Sequence, residues 1–173
     1  RVLAARGVGL DEAEGFLDPT IKALMPDPST LTDMDAAVAR VADAVTAGDR
    51  IAIFGDYDVD GATSSALLSR YLSAIGAASR IHIPDRIIEG YGPNGPAIRM
   101  LREDGAGLLV CVDCGSVSFE AFAEARAVGL DVVVLDHHQV GEELPETRGL
   151  VNPNRQDDLS GLGHLAAVGV TFL

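Results

Sequence analysis

The stretch Ile51-Ala52-Ile53-Phe54-Gly55-Asp56-Tyr57-Asp58-Val59-Asp60-Gly61 decides how the rest of the chain reads. An unbroken apolar run ends at a glycine, and acids then occupy alternate positions. Such a run, bounded by turn residues, is the pattern of a strand buried on both faces. Two later runs repeat the arrangement: Leu108–Val112 leads into Asp113-Cys114-Gly115, and Val132–Leu135 into Asp136-His137-His138. The segments between them alternate. Ala62–Ile75 reads as a helix, Arg80–Ile83 as a strand, Pro96–Glu103 and Phe119–Val128 as helices, and Leu150-Val151 as a short strand. Alternating βα units predict an α/β fold: a doubly wound, mainly parallel sheet with helices on both faces and right-handed crossovers.

Upstream, Met34, Val38, Val41 and Val45 fall on one helical face, with Asp33 placed to cap the helix and Gly48 to end it. Residues 1–32 read as an N-terminal arm interrupted by Pro19, Pro26 and Pro28, with one short helix around Asp11–Leu17. Residues 33–173 read as the α/β domain. The chain starts at Arg1-Val2 and stops in the apolar Val170-Thr171-Phe172-Leu173, so both ends read as cut from a longer protein. Apolar surface is expected to stay uncovered over Ala166–Leu173.

Composition excludes several classes. With 173 residues, 47% of them hydrophobic, the chain fills a core and is no disordered tail. Its 13 basic and 26 acidic side chains give a net charge of −13, so broad electrostatic attraction does not hold it to nucleic acid. Work on phosphates then requires cations that reverse the local field. Two cysteines are too few for a disulfide scaffold, and no apolar run spans a membrane or forms a signal peptide. The cytoplasm is the expected compartment.

The three strand ends carry the chemistry, because ligands bind beyond the carboxyl ends of strands in open α/β sheets. One helix cap explains one of Asp56, Asp58 and Asp60, not all three. Without counter-charge such carboxylates repel, which points to a metal site. Asp113 gains weight from its place on the same edge. His137-His138 beside Asp136 suggests one ligand and one neighbour that touches substrate. An oxygen and imidazole donor set suits Mn²⁺ or Mg²⁺, with two ions about 3.5–4 Å apart as the frequent arrangement for phosphoryl transfer.

Two motifs are decoys. In Cys111-Val112-Asp113-Cys114 the first cysteine falls inside a strand and reads as a small core hydrophobe, not a redox or zinc ligand. Gly90-Tyr91-Gly92-Pro93-Asn94-Gly95 does not directly follow a strand, so it reads as a mobile loop and not a dinucleotide turn. That loop offers Arg86 and Tyr91, which read either as a surface arginine and a half-buried tyrosine or as a phosphate clamp and a stacking ring.

The segments GDYDVDG, VDCG and DHH, in this order at these strand ends, resemble the first three motifs of the DHH phosphoesterase superfamily. Pro84-Asp85-Arg86, Glu89-Gly90-Tyr91-Gly92, Val151-Asn152-Pro153-Asn154, the arm's FLDP and the terminal AAVGVTFL resemble its single-stranded-DNA-specific exonuclease branch. The resemblance implies a nuclease using Mn²⁺ or Mg²⁺ that trims single-stranded DNA from the five-prime end to mononucleotides, in recombination and repair. It implies Asp58, Asp60, Asp113 and His137 as metal ligands. Asp56, Asp136 and His138 complete the catalytic set, with His138 facing the scissile phosphate and Asp136 orienting a histidine. A fourth acidic motif, a DHH-associated domain and an OB-fold belong to the family pattern but do not occur here, so residues 1–173 alone are expected to cleave poorly. Rival readings are a DHH enzyme for short oligonucleotides, cyclic dinucleotides or pyrophosphate, a receiver-like signalling domain, and a non-catalytic binding scaffold. The His137-His138 pair argues against a receiver, and the intact acids argue against a scaffold.

Overall fold

A computed structural model describes residues 1–173. Five strands form one all-parallel sheet: β1 (Arg50–Gly55), β2 (Ser79–His82), β3 (Ala106–Val112), β4 (Asp131–Leu135) and β5 (Gly149–Val151), in the order β2-β1-β3-β4-β5. The strand order reverses between β1 and β3, which creates the crevice where ligands bind in this class of sheet. The expected doubly wound architecture is thus the observed one.

Alternate residues of β1, β3, β4 and β5 feed two cores. Ala52, Phe54, Leu109, Cys111, Val132 and Val134 pack on one face with Ile98, Leu101, Phe122 and Ala125. These partners come from α6 (Gly95–Glu103) and α7 (Phe119–Ala127). Ile51, Ile53, Leu108, Val110, Val112 and Val133 pack on the other face with Met34, Ala37, Ala44, Leu72 and Val170. Those belong to α4 (Met34–Ala47), α5 (Val59–Ala74) and α8 (Ala167–Phe172). Burial of both faces is why the strands read as unbroken apolar runs. Cys111 and Cys114 are free and buried.

Three local expectations are corrected. Asp33 sits at the start of α4 at φ 65° and makes no side-chain cap. Its carboxylate instead accepts from Leu150 N at 3.3 Å and Arg155 Nη1 at 2.6 Å, tying the helix start to β5. The arm carries more helix than its prolines suggest: α1 (Val2–Ala5), α2 (Ala13–Leu17), α3 (Ile21–Leu24) and a 3-10 turn over Pro28–Thr30. Finally, Ala167 and Val170 of α8 are buried while Phe172 stays exposed, so the terminal segment covers part of its apolar surface. No helix is long and apolar enough to cross a membrane.

Candidate metal centre

The first acidic segment is shaped by the start of α5. Asp58 is the N-cap: its Oδ1 accepts from Asp60 N at 2.9 Å and Gly61 N at 3.1 Å. Those bonds lower its pKa, the Gly61 amide most. Gly61 is where the helix meets the loop, since a Cβ there would lie 2.3 Å from Asp56 O. Only glycine permits that approach. Asp56 is buried and accepts from Tyr57 N at 2.7 Å. Burial nevertheless raises its pKa, with Asp58 adding to the effect.

Asp113 follows β3 with φ 62°, a left-handed conformation uncommon outside glycine. Its amide donates to Leu135 O at 2.9 Å, so β4 holds the turn. The carboxylate is 1% exposed, and neither oxygen accepts a hydrogen bond. Burial first, and neighbouring Asp58 second, push its pKa up to about 8. A buried carboxyl without a donor is costly.

His137 Nε2 lies 3.3 Å from Asp113 Oδ1, outside hydrogen-bond geometry, and 3.9 Å from Asp60 Oδ2. Asp136 is turned the other way. Its Oδ1 accepts from His137 N at 2.7 Å, His138 N at 3.3 Å and His138 Nδ1 at 2.7 Å, and its Oδ2 from Ser116 N at 3.1 Å. Burial works to raise its pKa, but these bonds outweigh it and bring it down to about 2. The same Asp136 contact lifts the pKa of His138 to about 9.

The structure thus brings Asp56, Asp58, Asp60, Asp113, His137 and His138 to one sheet edge at the switch point. Two groups of donors each lie within 4.8 Å: Asp56, Asp58 and Asp113, and Asp113, His137 and His138. Asp113 belongs to both. This grouping differs from the sequence reading, for Asp56 and His138 stand within the groups and Asp60 stands just outside them. The oxygen and imidazole donors, with two orphaned oxygens at their centre, fit a hard divalent cation.

Beside this edge runs an aromatic wall. The Arg86 guanidinium sits 5.1 Å from the centre of the Tyr57 ring, Tyr57 meets Tyr91 edge-on at 6.5 Å, and Tyr91 meets His138 at 6.2 Å. Arg86 has no carboxylate partner. Its loop is tied down by Glu89, whose carboxylate meets His82 Nε2 at 3.0 Å, and by Asp85 Oδ1, which accepts from Ile87 N and Ile88 N. Tyr57 was missed in the sequence because it stands between the acids; its ring, opposite their chemistry, only acquires meaning beside Arg86. Ser116, Asn152 and Asn154 were also missed as site residues, and nothing in their local sequence marks Ser116.

The DHH family, N-terminal domain, matches residues 50–172. The single-stranded-DNA-specific exonuclease RecJ of Bacillus subtilis (strain 168) is 37% identical over 171 residues, covering 99% of this chain and 22% of that protein. RecJ of Salmonella typhimurium is 36% identical over 173 residues, covering 99% of this chain and 29% of that protein. The chain therefore spans 22–29% of the length of these curated relatives. A crystal structure of exonuclease RecJ bound to manganese superposes with a TM-score of 0.74 at 34% identity, over 82% of this chain and 36% of that one. RecJ from Thermus thermophilus in complex with Mn²⁺ gives 0.68 at 30% identity, over 90% of this chain and 21% of that one. The same protein with Mg²⁺ gives 0.53 at 28% identity, over 92% and 18%.

Proposed function

The chain belongs to the DHH family, and from that premise we propose that the protein is a metal-dependent exonuclease hydrolysing single-stranded DNA from the five-prime end to mononucleotides, in recombination and DNA repair. The carrying observation is Asp113: buried, without a donor on either oxygen, and common to both ligand groups. The relatives named as single-stranded-DNA-specific exonucleases support the substrate, and those solved with Mn²⁺ or Mg²⁺ support the ion.

Asp58, Asp60, Asp113 and His137 would hold the two ions, with Asp56 beside them. Bound there, a divalent cation neutralises charge on phosphoryl oxygens and makes water nucleophilic near neutral pH. The protein's own groups do the rest. Asp58 is fixed by two helix amides through Oδ1, which leaves Oδ2 for the site. His138 is held by Asp136 through Nδ1, which fixes the ring and leaves Nε2 toward the site. Its free Nε2 faces the scissile phosphate and donates a proton to the departing oxygen. Arg86 clamps a phosphate, and Tyr91, with Tyr57, offers ring faces to a base or sugar. This wall favours a strand over the cyclic dinucleotides of related phosphoesterases.

We take residues 1–32 as an arm and 33–173 as the DHH domain, because α4 is the first helix to bury residues in the core. We place the protein in the cytoplasm, where thiols such as those of Cys111 and Cys114 stay reduced. The test is digestion of a five-prime-labelled single strand by the protein in its native full length. The reading expects labelled mononucleotide with Mn²⁺ or Mg²⁺ and none with a chelator. Release with chelator present, or faster cleavage of cyclic dinucleotides than of long strands, would contradict it.

A further inference from the structure

We propose that Asn152 and Asn154 are positioning residues: together they fix the backbone of His137 and His138 and so set where the two imidazoles stand. The inference rests on the metal site argued above, to which nothing so far joins these asparagines.

The argument starts from register. Leu135 of β4 pairs with Val151 of β5, and Asp136 N donates to Val151 O at 3.0 Å. The two chains leave the sheet side by side, one as Asp136-His137-His138 and the other as Asn152-Pro153-Asn154. The histidine amides are already held, since both donate to Asp136 Oδ1. Their carbonyls need donors, and no helix or strand supplies them. Asn152, fully buried, gives one hydrogen to His138 O at 2.9 Å and one to Ser116 Oγ at 3.0 Å. Asn154 Nδ2 donates to His137 O. Each histidine is thus gripped at both its amide and its carbonyl.

The choice of residue follows from this. A carboxamide presents two donors and an acceptor on one short stem. Asn152 uses all of it, because its Oδ1 also accepts from Asn154 N at 2.9 Å. That bond closes a turn across Pro153 and aims the second asparagine at His137. The network then closes on itself through Ser116, whose amide donates to Asp136 Oδ2 at 3.1 Å. Aspartate in either place would keep the shape but lose the donors. Gly163 leaves room for the device: a Cβ there would come 2.7 Å from Asn154 Oδ1. Residues that orient metal-ligating histidines commonly change ion affinity by about 10–100-fold when removed.

Two readings on the same variants test the proposal: long-range proton–nitrogen NMR of the histidine rings in metal-free protein, and Mn²⁺ affinity from the free-ion EPR signal. Asn154 is only half-buried, so Asn154→Ala should fold. It should move the His137 ring resonances, leave His82 in place, and weaken Mn²⁺ about tenfold. Gly163→Ala displaces Asn154 without deleting it and should do the same to a smaller degree. Unchanged His137 resonances in Asn154→Ala would overturn the proposal, as would wild-type Mn²⁺ affinity beside altered resonances. Should wild type itself bind no Mn²⁺, the metal reading fails, and the ring spectra alone then decide whether the asparagines position the histidines.

Discussion

Asp131 and Asp113 stand at opposite ends of neighbouring strands, and their surroundings differ in kind. Asp131 opens β4 at the amino edge. Its Oδ2 accepts from Arg40 Nε at 2.8 Å and its Oδ1 from Arg148 Nε at 2.9 Å. Burial alone would raise its pKa, yet the two guanidiniums outweigh burial and hold it low. Around it, Arg40 also reaches Gly107 O at 3.2 Å, and Arg102 reaches Ala106 O at 2.8 Å. Asp113, past the end of β3, has burial without any of this, and no arginine or lysine pairs with it. One edge of the sheet is built to be complete by itself. The other is built around a charge that the protein does not supply. The contrast locates the chemistry better than acidity does, since acids are spread over the whole molecule.

The largest expected effect comes from Asp113→Asn, a substitution that tolerates the left-handed backbone. Nuclease activity with Mn²⁺ should fall by on the order of a thousandfold, the equivalent of several kcal/mol of lost charge stabilisation. The metal-free melting temperature should stay the same or rise, because an unpaired buried carboxyl is removed. Calorimetry beside a single-strand digestion assay checks both. A fall in melting temperature would mean that Asp113 is structurally paired after all.

Asp131→Asn should invert that result. It leaves Arg40 and Arg148 without their partner and should cost about 1 kcal/mol in urea unfolding, with little effect on turnover. Loss of activity matching that of Asp113→Asn would erase the distinction between the edges.

Arg86→Ala sharpens the picture at the site's rim. The side chain is exposed and unpaired, so stability should change by no more than about 0.5 kcal/mol. KM for a phosphorylated single strand should rise about tenfold, the value of one charge-assisted bond, with kcat less affected. An equal fall in kcat with KM unchanged would move Arg86 from binding to the chemical step.

The smallest effect is in acid. Asp131 has a folded pKa below its ordinary 3.8, so its contribution is present above that value and disappears as pH falls through the folded one. The stability gap between wild type and Asp131→Asn should be constant from pH 7 to about 5 and close below about pH 4. A gap that widened in acid would contradict the pairing.

The strands and three acidic motifs were legible because each is contiguous: Val132–Leu135 announces a buried strand, and Asp136-His137-His138 follows it directly. What was not legible depends on partners far along the chain. Asp33 looks like a cap, but Arg155, 122 residues away, takes its carboxylate. Arg40 meets Asp131 across 91 residues, so the completed amino edge has no local signature. Asn152 and Asn154 reach back 14 and 17 residues, which only the β4–β5 register makes possible. The candidate ligands were readable as residue types. The sharing of Asp113 between two groups, and the place of Asp60 just outside both, are matters of geometry.

The most direct measurement is a Mn²⁺ titration by isothermal calorimetry of wild type, Asp113→Asn and Asp131→Asn, without nucleic acid. A cation-completed carboxyl edge predicts binding to wild type and to Asp131→Asn with similar affinity, and loss of at least one ion from Asp113→Asn. Undiminished binding to Asp113→Asn, or no binding to wild type, would contradict the account.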